Sequence, residues 1–181
     1  ASSVSPESAD IMAKMGFGVL IIAQRSWEDT AVDYQRYCDT AQANGITPRP
    51  PIGLFNVLVS DDAKEAEDLA QHYMGTLFDS IENHYGFSSG KLKNVKGYEF
   101  YGKLAKTYAK LNADEQAKVK AVKFFRSLHA AGTPEQVLEK IRYIHETVAL
   151  EHMVGTFAFG GLPAPHLNKS FQLFAEKVLP T

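Results

Sequence analysis

Ala131-Gly132-Thr133-Pro134-Glu135-Gln136-Val137, then His152 through Phe157-Ala158-Phe159-Gly160-Gly161-Leu162, then Pro165 to Val178, read in order as helix start, buried strand, glycine turn and closing helix. Thr133 is placed to cap, Pro134 takes the first helical position where its missing N–H costs nothing, and Gln136 can reach back to the cap. Val137, Leu138, Ile141, Ile144 and Val148 recur at helical spacing behind them. A strand fed by one helix and followed by another is the βα unit of a parallel α/β barrel, and this one reads as the last of its kind.

Working outward, the same grammar repeats. Ser5-Pro6-Glu7-Ser8 is a helix start, with Ile11, Met12 and Met15 on one face and Gly16 at the end. Phe17–Ile22 and Ile52–Val59 are apolar runs of strand length without clean alternation, as expected of strands covered on both faces. Between them, Ser26-Trp27-Glu28-Asp29 opens a helix that Asn44-Gly45 closes. Ser60-Asp61-Asp62 caps a long helix running to about Tyr85, with Asp62 and Glu65 at capping-box spacing. Gly86 to Asn94 is polar and glycine-bearing, with the look of a loop, and residues 97–130 are charged and helical in period, with a restart at Asn112-Ala113-Asp114-Glu115. The expectation is one domain over residues 1–181, an incomplete β/α barrel in which residues 86–130 form a helical insertion carrying a mobile lid. Too few strands are present to close a barrel.

The 181 residues are 45% hydrophobic, enough for a real core, and the net charge of −2 gives no electrostatic footprint for DNA, RNA or an anionic membrane. No apolar run approaches the ~20 residues of a membrane span. The single cysteine, Cys38, excludes a disulfide framework and suits a reducing compartment, so with no visible signal peptide a cytoplasmic location is expected. His72, His84, His129, His145, His152 and His166 make no metal-ligand spacing; surface or helix-end positions account for them, and no metal is expected. There is no GxSxG, P-loop or GxGxxG. Cys38 lies on the apolar stripe of its helix and reads as packing.

Three segments carry candidate chemistry. Ser2, Ser3, Ser5 and Ser8 gather hydroxyls and free N–H groups at one helix N-terminus, a phosphate-binding arrangement if it is more than a serine-rich cap. Gly160 and Gly161 let a ligand approach the backbone at the face where barrel sites form, or simply make a tight turn. Lys96, Tyr98 and Tyr101 combine a cation and aromatics beside Gly97, as a lid over a reactive site would, or as an ordinary helix start would.

Gly132-Thr133-Pro134-Glu135-Gln136, the Lys96-Gly97-Tyr98-Glu99-Phe100-Tyr101 segment, and the ending from Phe159-Gly160-Gly161-Leu162-Pro163 to Leu173-Phe174-Ala175-Glu176-Lys177-Val178-Leu179-Pro180 resemble the bacterial luciferase-like flavin-dependent monooxygenases. The opening Ala1-Ser2-Ser3-Val4-Ser5-Pro6-Glu7-Ser8-Ala9 and Met15-Gly16-Phe17-Gly18 resemble that family's fifth strand and the helix after it. The resemblance implies the C-terminal half, about strands 5–8, of a luciferase-like TIM (β/α)8 barrel with a helical insertion after strand 7. It further implies reduced FMN as cofactor or cosubstrate, O2 as oxidant, and oxygenation of a small apolar substrate such as an aldehyde; some relatives use a deazaflavin. Ser2 and Ser3 would lie near the flavin ring system, Ser3 and Ser5 or Ser8 would contact its phosphate, Gly160 and Gly161 would line its mouth, and residues 86–101 would form the lid. The family's first four strands, with its catalytic histidine and arginine phosphate ligands, have no counterpart here. The implied partner is therefore the N-terminal half of the barrel or a second chain. A catalytically silent flavin-binding or assembly protein is the alternative.

Overall fold

The computed structural model describes residues 2–3, 6–95 and 99–180, with side chains over residues 8–91, 94–95 and 105–180. The chain runs β1 (Ser2–Ser3), α1 (Pro6–Lys14), β2 (Leu20–Ile22), α2 (Trp27–Ala43), β3 (Ile52–Val59) and α3 (Ala63–Tyr85). Two short 3-10 turns, Phe87–Ser89 and Lys91–Asn94, lead to α4 (Glu99–Ala113) and α5 (Glu115–Ser127). The chain then makes β4 (Ala130–Gly132), α6 (Pro134–Val148), β5 (His152–Thr156) and α7 (Ala164–Leu173), which continues as a π-helical turn, Phe174–Val178.

Every strand pairing is parallel: β1 with β2, β2 with β3, and β3 with both β4 and β5. In a parallel strand the N–H and C=O of one residue point to the same side, and the side alternates along the chain. Leu54 O accepts from Ala23, Asn56 N–H meets His129, and Ser60 N–H donates to Gly132 O. Even-numbered residues of β3 thus serve β2 and then β4, which takes over the same flank where β2 ends. Odd-numbered residues serve β5, and beyond it Val59 N–H donates to Ser170 Oγ at 2.8 Å. Among the described residues, β1, β4 and β5 each pair with one strand only, and the sheet does not close on itself.

Phe55, Val57 and Val59 of β3 pack against α2 and α6 with Trp27, Tyr37, Ala41, Val137, Ile144 and Val148, and none of these nine is more than 2% exposed. Each large side chain so buried contributes about 1.5–3 kcal/mol over an exposed one. Trp27 stands edge-on to Phe55 with ring centroids 5.8 Å apart, and its Nε1–H donates to Leu128 O at 2.9 Å. On the opposite sheet face Leu20, Ile22, Ile52 and Leu54 are half-buried and Val154 is 44% exposed. Toward the strand ends that face is covered by a second cluster, in which Leu58 and Phe159 meet Ala70 and Met74 of α3 and Phe125 of α5.

The predicted helix starts hold. Thr133 and Gln136 form a reciprocal capping box, Ser26 accepts from Asp29 N, and Asp114 caps α5 at the expected restart. Asp62 accepts from Lys64 and Glu65 N–H, but Glu65 turns to Ser60 instead of closing the box. β3 spans its apolar run from Ile52 to Val59, whereas β2 and β5 are shorter than theirs. β2 begins at Leu20 because its partner is preceded by Pro50-Pro51, which offer no N–H; Phe17 is 50% exposed and its carbonyl accepts from Tyr37 Oη. β5 ends at Thr156 because Ser170 occupies the next ladder position. No strand was expected over Ala130–Gly132. That segment, poor in β-formers, is extended because β3 projects five residues past its last β2 partner, Leu54, and the polar backbone of the final three, Val57 to Val59, needs partners.

Candidate functional site

Since all strands run the same way, their C-terminal ends share one edge of the sheet, where ligands bind in parallel α/β folds. β1 delivers Ser2 and Ser3 there, with α1 starting at Pro6. Ser8 is half-buried in the first turn of α1; Ser5 lies outside the described residues, and Ser2 and Ser3 are described as backbone only. Gly160 and Gly161 follow β5 at the other flank. β1 and β5 are separated by β2 and β3, three strand spacings or roughly 14 Å. Only an elongated ligand could touch both groups.

The two glycines are not equivalent. Both have positive φ, 57° and 79°. A Cβ on Gly160 would stand 1.9 Å from the Tyr73 carbonyl oxygen, so this residue is glycine to let the turn lie against α3. A Cβ on Gly161 would meet nothing within 4 Å, which leaves its backbone open to approach.

Between these flanks the charged side chains are already engaged. Arg25, after β2, pairs with Asp33 and lies 3.9 Å from Asp29, beside a crevice of about 30 Å3, room for about one water. After β3, Ser60 donates to Glu65, which also gathers His166 and Lys169 at 3.6 Å each. The Ser60 hydrogen bond, ahead of the lysine and histidine charges, holds the Glu65 carboxyl below its usual value. Here the carboxylate stands between serine and imidazole. His166 therefore cannot take the Ser60 proton, and the trio is not a nucleophile-activating relay.

One polar pair was not foreseen. His129 stands at a helix end as expected, but it is 5% exposed, not at the surface. Asn56 N–H donates to its Nδ1 at 3.2 Å, and the Asn56 carboxamide lies 3.2 Å from Nε2. An Nδ1 that accepts leaves the proton on Nε2, so the ring is neutral. The Asn56 amide nitrogen placed opposite Nε2 is then a second donor, and the pair is satisfied with the carboxamide turned over so that its oxygen accepts. The imidazole fills the gap where β3 passes from β2 to β4, satisfying an N–H that neither strand reaches. Burial, with a smaller contribution from the Lys140 charge, pushes its pKa from 6.5 down to about 4. The readable signal was Asn56 itself: an amide inside an apolar strand requires a buried partner.

At the expected lid, Gly86 ends α3 in the left-handed region with φ 59°. Phe87 is 6% exposed and stacks on Tyr85 at 5.3 Å, and Ser88 N–H donates to the buried Glu82 at 3.0 Å. Lys96 and Tyr98 lie outside the described residues, and Tyr101 belongs to the backbone-only first turns of α4. Cys38 is a half-buried free thiol packed on the main core. No described helix is long and apolar enough to cross a membrane.

The family model of the luciferase-like monooxygenases matches residues 1–151. No curated protein matches the sequence. Among solved structures, monooxygenase RslO1 from Streptomyces bottropensis is similar at 20% identity and TM-score 0.59, over 99% of this chain and 46% of its own. The oxygenating constituent of 3,6-diketocamphane monooxygenase from Pseudomonas putida, solved with FMN, is similar at 21% identity and TM-score 0.62, over 100% of this chain and 47% of its own. Flavoprotein 390 is similar at 12% identity and TM-score 0.58, with 99% and 64% covered. At these identities the likeness is one of fold. The chain spans about half the length of the two monooxygenases.

Proposed function

The chain belongs to the luciferase-like monooxygenase family, and from that premise we propose that it supplies the strand 5–8 half of an FMN-dependent monooxygenase site acting on a small apolar substrate such as an aldehyde. The observation that carries this reading is the separation of two ligand-ready groups along one sheet edge. The serine-bearing start of α1 stands at one flank and the open backbone of Gly161 at the other. An extended molecule with a phosphate at one end and a flat ring at the other fits that spacing. In this reading Ser3, with Ser5 or Ser8, and the N-terminal N–H groups of α1 hold the phosphate. Ser2, Ser3 and Gly161 lie along the ring, and Gly160 fixes the turn that presents Gly161. Lys96, Tyr98 and Tyr101 belong to a segment that closes over the ring and excludes water. Reduced FMN, when bound, supplies the electrons with which O2 is activated and one oxygen atom transferred. The exposed apolar sheet face and the open edges at β1 and β5 are where the N-terminal half of the barrel, or a second chain, completes the site.

The test is to mix the protein with photoreduced FMN, air and decanal, and to look for decanoic acid by mass spectrometry. The expected result is acid formation when the N-terminal half of a relative is supplied, and little without it. A catalytically silent flavin-binding role is the second reading, favoured by similarity to a protein named a flavoprotein. Tight FMN binding with no acid under either condition would select it.

A further inference from the structure

A second cleft, lined by none of the residues assigned to the flavin, opens between the first turns of α3, the end of α5, β4 and α6, with a volume of about 720 Å3. That lies within the ~300–1,000 Å3 of small-molecule sites. No residue of β3 lines it, so it lies on the flank of β4 turned away from the sheet. Ala63, Ala66 and Ala70, on successive turns of α3, give one wall a flat apolar surface. Across from them Lys140 lies half-buried with its Nζ 4.3 Å from the Tyr143 ring centroid. Lys123 lines the same cleft. Among the described residues neither lysine has a carboxylate within 4 Å, whereas the neighbouring Arg126 is already engaged by Glu67 and Gln71. Glu139 is the one further acid on the wall. β4 uses Ala130 and Gly132 to pair with β3, so the N–H and C=O of Ala131 point outward on this flank.

The Glu28 carboxylate, held by the Tyr143 hydroxyl, acts on Lys140 without forming a direct ion pair with it. A half-buried ammonium with no directly paired carboxylate, a second lysine and an outward backbone N–H are the recognition elements of an oxyanion. We propose that this cleft binds a small molecule carrying a carboxylate or phosphate, with its oxyanion held by Lys140, Lys123 and Ala131 N–H and its body against Ala63, Ala66 and Ala70. An added peptide strand is disfavoured because β4 is three residues long and offers one outward residue. The site stands independently of the flavin reading.

The test is calorimetric titration of the 181-residue chain with inorganic phosphate, pyrophosphate and succinate. At least one is expected to bind, and the tighter class identifies the oxyanion. Lys140→Gln and Lys123→Gln should each weaken that binding about tenfold. Lys64→Gln, exposed on α3 and paired with Asp68 at 2.8 Å, should leave it unchanged. The Ala131 amide resonance should shift on saturation. The proposal is overturned if none of the three binds, if the lysine variants bind as the parent does, or if Lys64→Gln weakens binding equally.

Discussion

Acidification should destabilise this protein through one buried ring before its carboxylates are reached. His129 is neutral in the folded chain, with a pKa of about 4 against 6.5 when unfolded, because burial disfavours its charged form. Between those values the unfolded chain binds a proton that the folded chain excludes. The contribution is therefore fully present above pH 6.5 and is lost as the pH falls toward 4, a total of about 3 kcal/mol. The proton has no harmless place to go, since Nδ1 accepts from Asn56 N–H and protonating it sets two donors face to face. The assay is urea unfolding at half-unit steps from pH 8 to 4, for the parent and His129→Gln, with the His129 ring proton followed by NMR. The parent should lose stability mainly between pH 6.5 and 4.5, and the variant should be less stable at pH 8 but nearly flat over that interval. A His129 resonance titrating near 6.5, or the same slope in both proteins, would refute the reasoning.

Gly160→Ala should cost more than about 3 kcal/mol, since its Cβ would meet the Tyr73 carbonyl oxygen at a positive φ, and urea midpoints will show it. Gly53→Ala is the contrast: the new methyl meets the Leu150 side-chain tip at 2.5 Å, which can swing aside, so a loss within about 1–2 kcal/mol is expected. Thr133→Ala removes one arm of the α6 capping box and should lower stability by about 1 kcal/mol by thermal melting. Ser170→Ala strands the buried Val59 N–H; a loss of about 1–3 kcal/mol is expected, with faster hydrogen exchange at the Val59 amide.

Helix starts were legible in the sequence because capping is local: Ser26, Asp62, Asp114 and Thr133 each act within three residues of themselves. The limits of β3 were legible as well, but those of β2 and β5 were not, because a ladder ends where its partner does. Pro51 shortens β2, Ser170 stops β5, and the overhang of β3 creates β4 from Ala-Ala-Gly. For the candidate site, parallel strand order was enough to place Ser2, Ser3 and the glycine pair along one edge. What separates Gly160 from Gly161 is a carbonyl on α3, nearly ninety residues earlier, and no local pattern reports it. The His129–Asn56 pair is non-local in the same way.

The central claim, that the strand ends carry half of a flavin site, is tested most directly by FMN binding to this chain. Titrating FMN against the protein and following flavin absorbance and fluorescence should give a saturable shift. Ser3→Ala should weaken it by removing a phosphate contact, and Gly161→Val by covering the open backbone. No spectral change at any FMN concentration, or a change indifferent to both substitutions, would contradict the account.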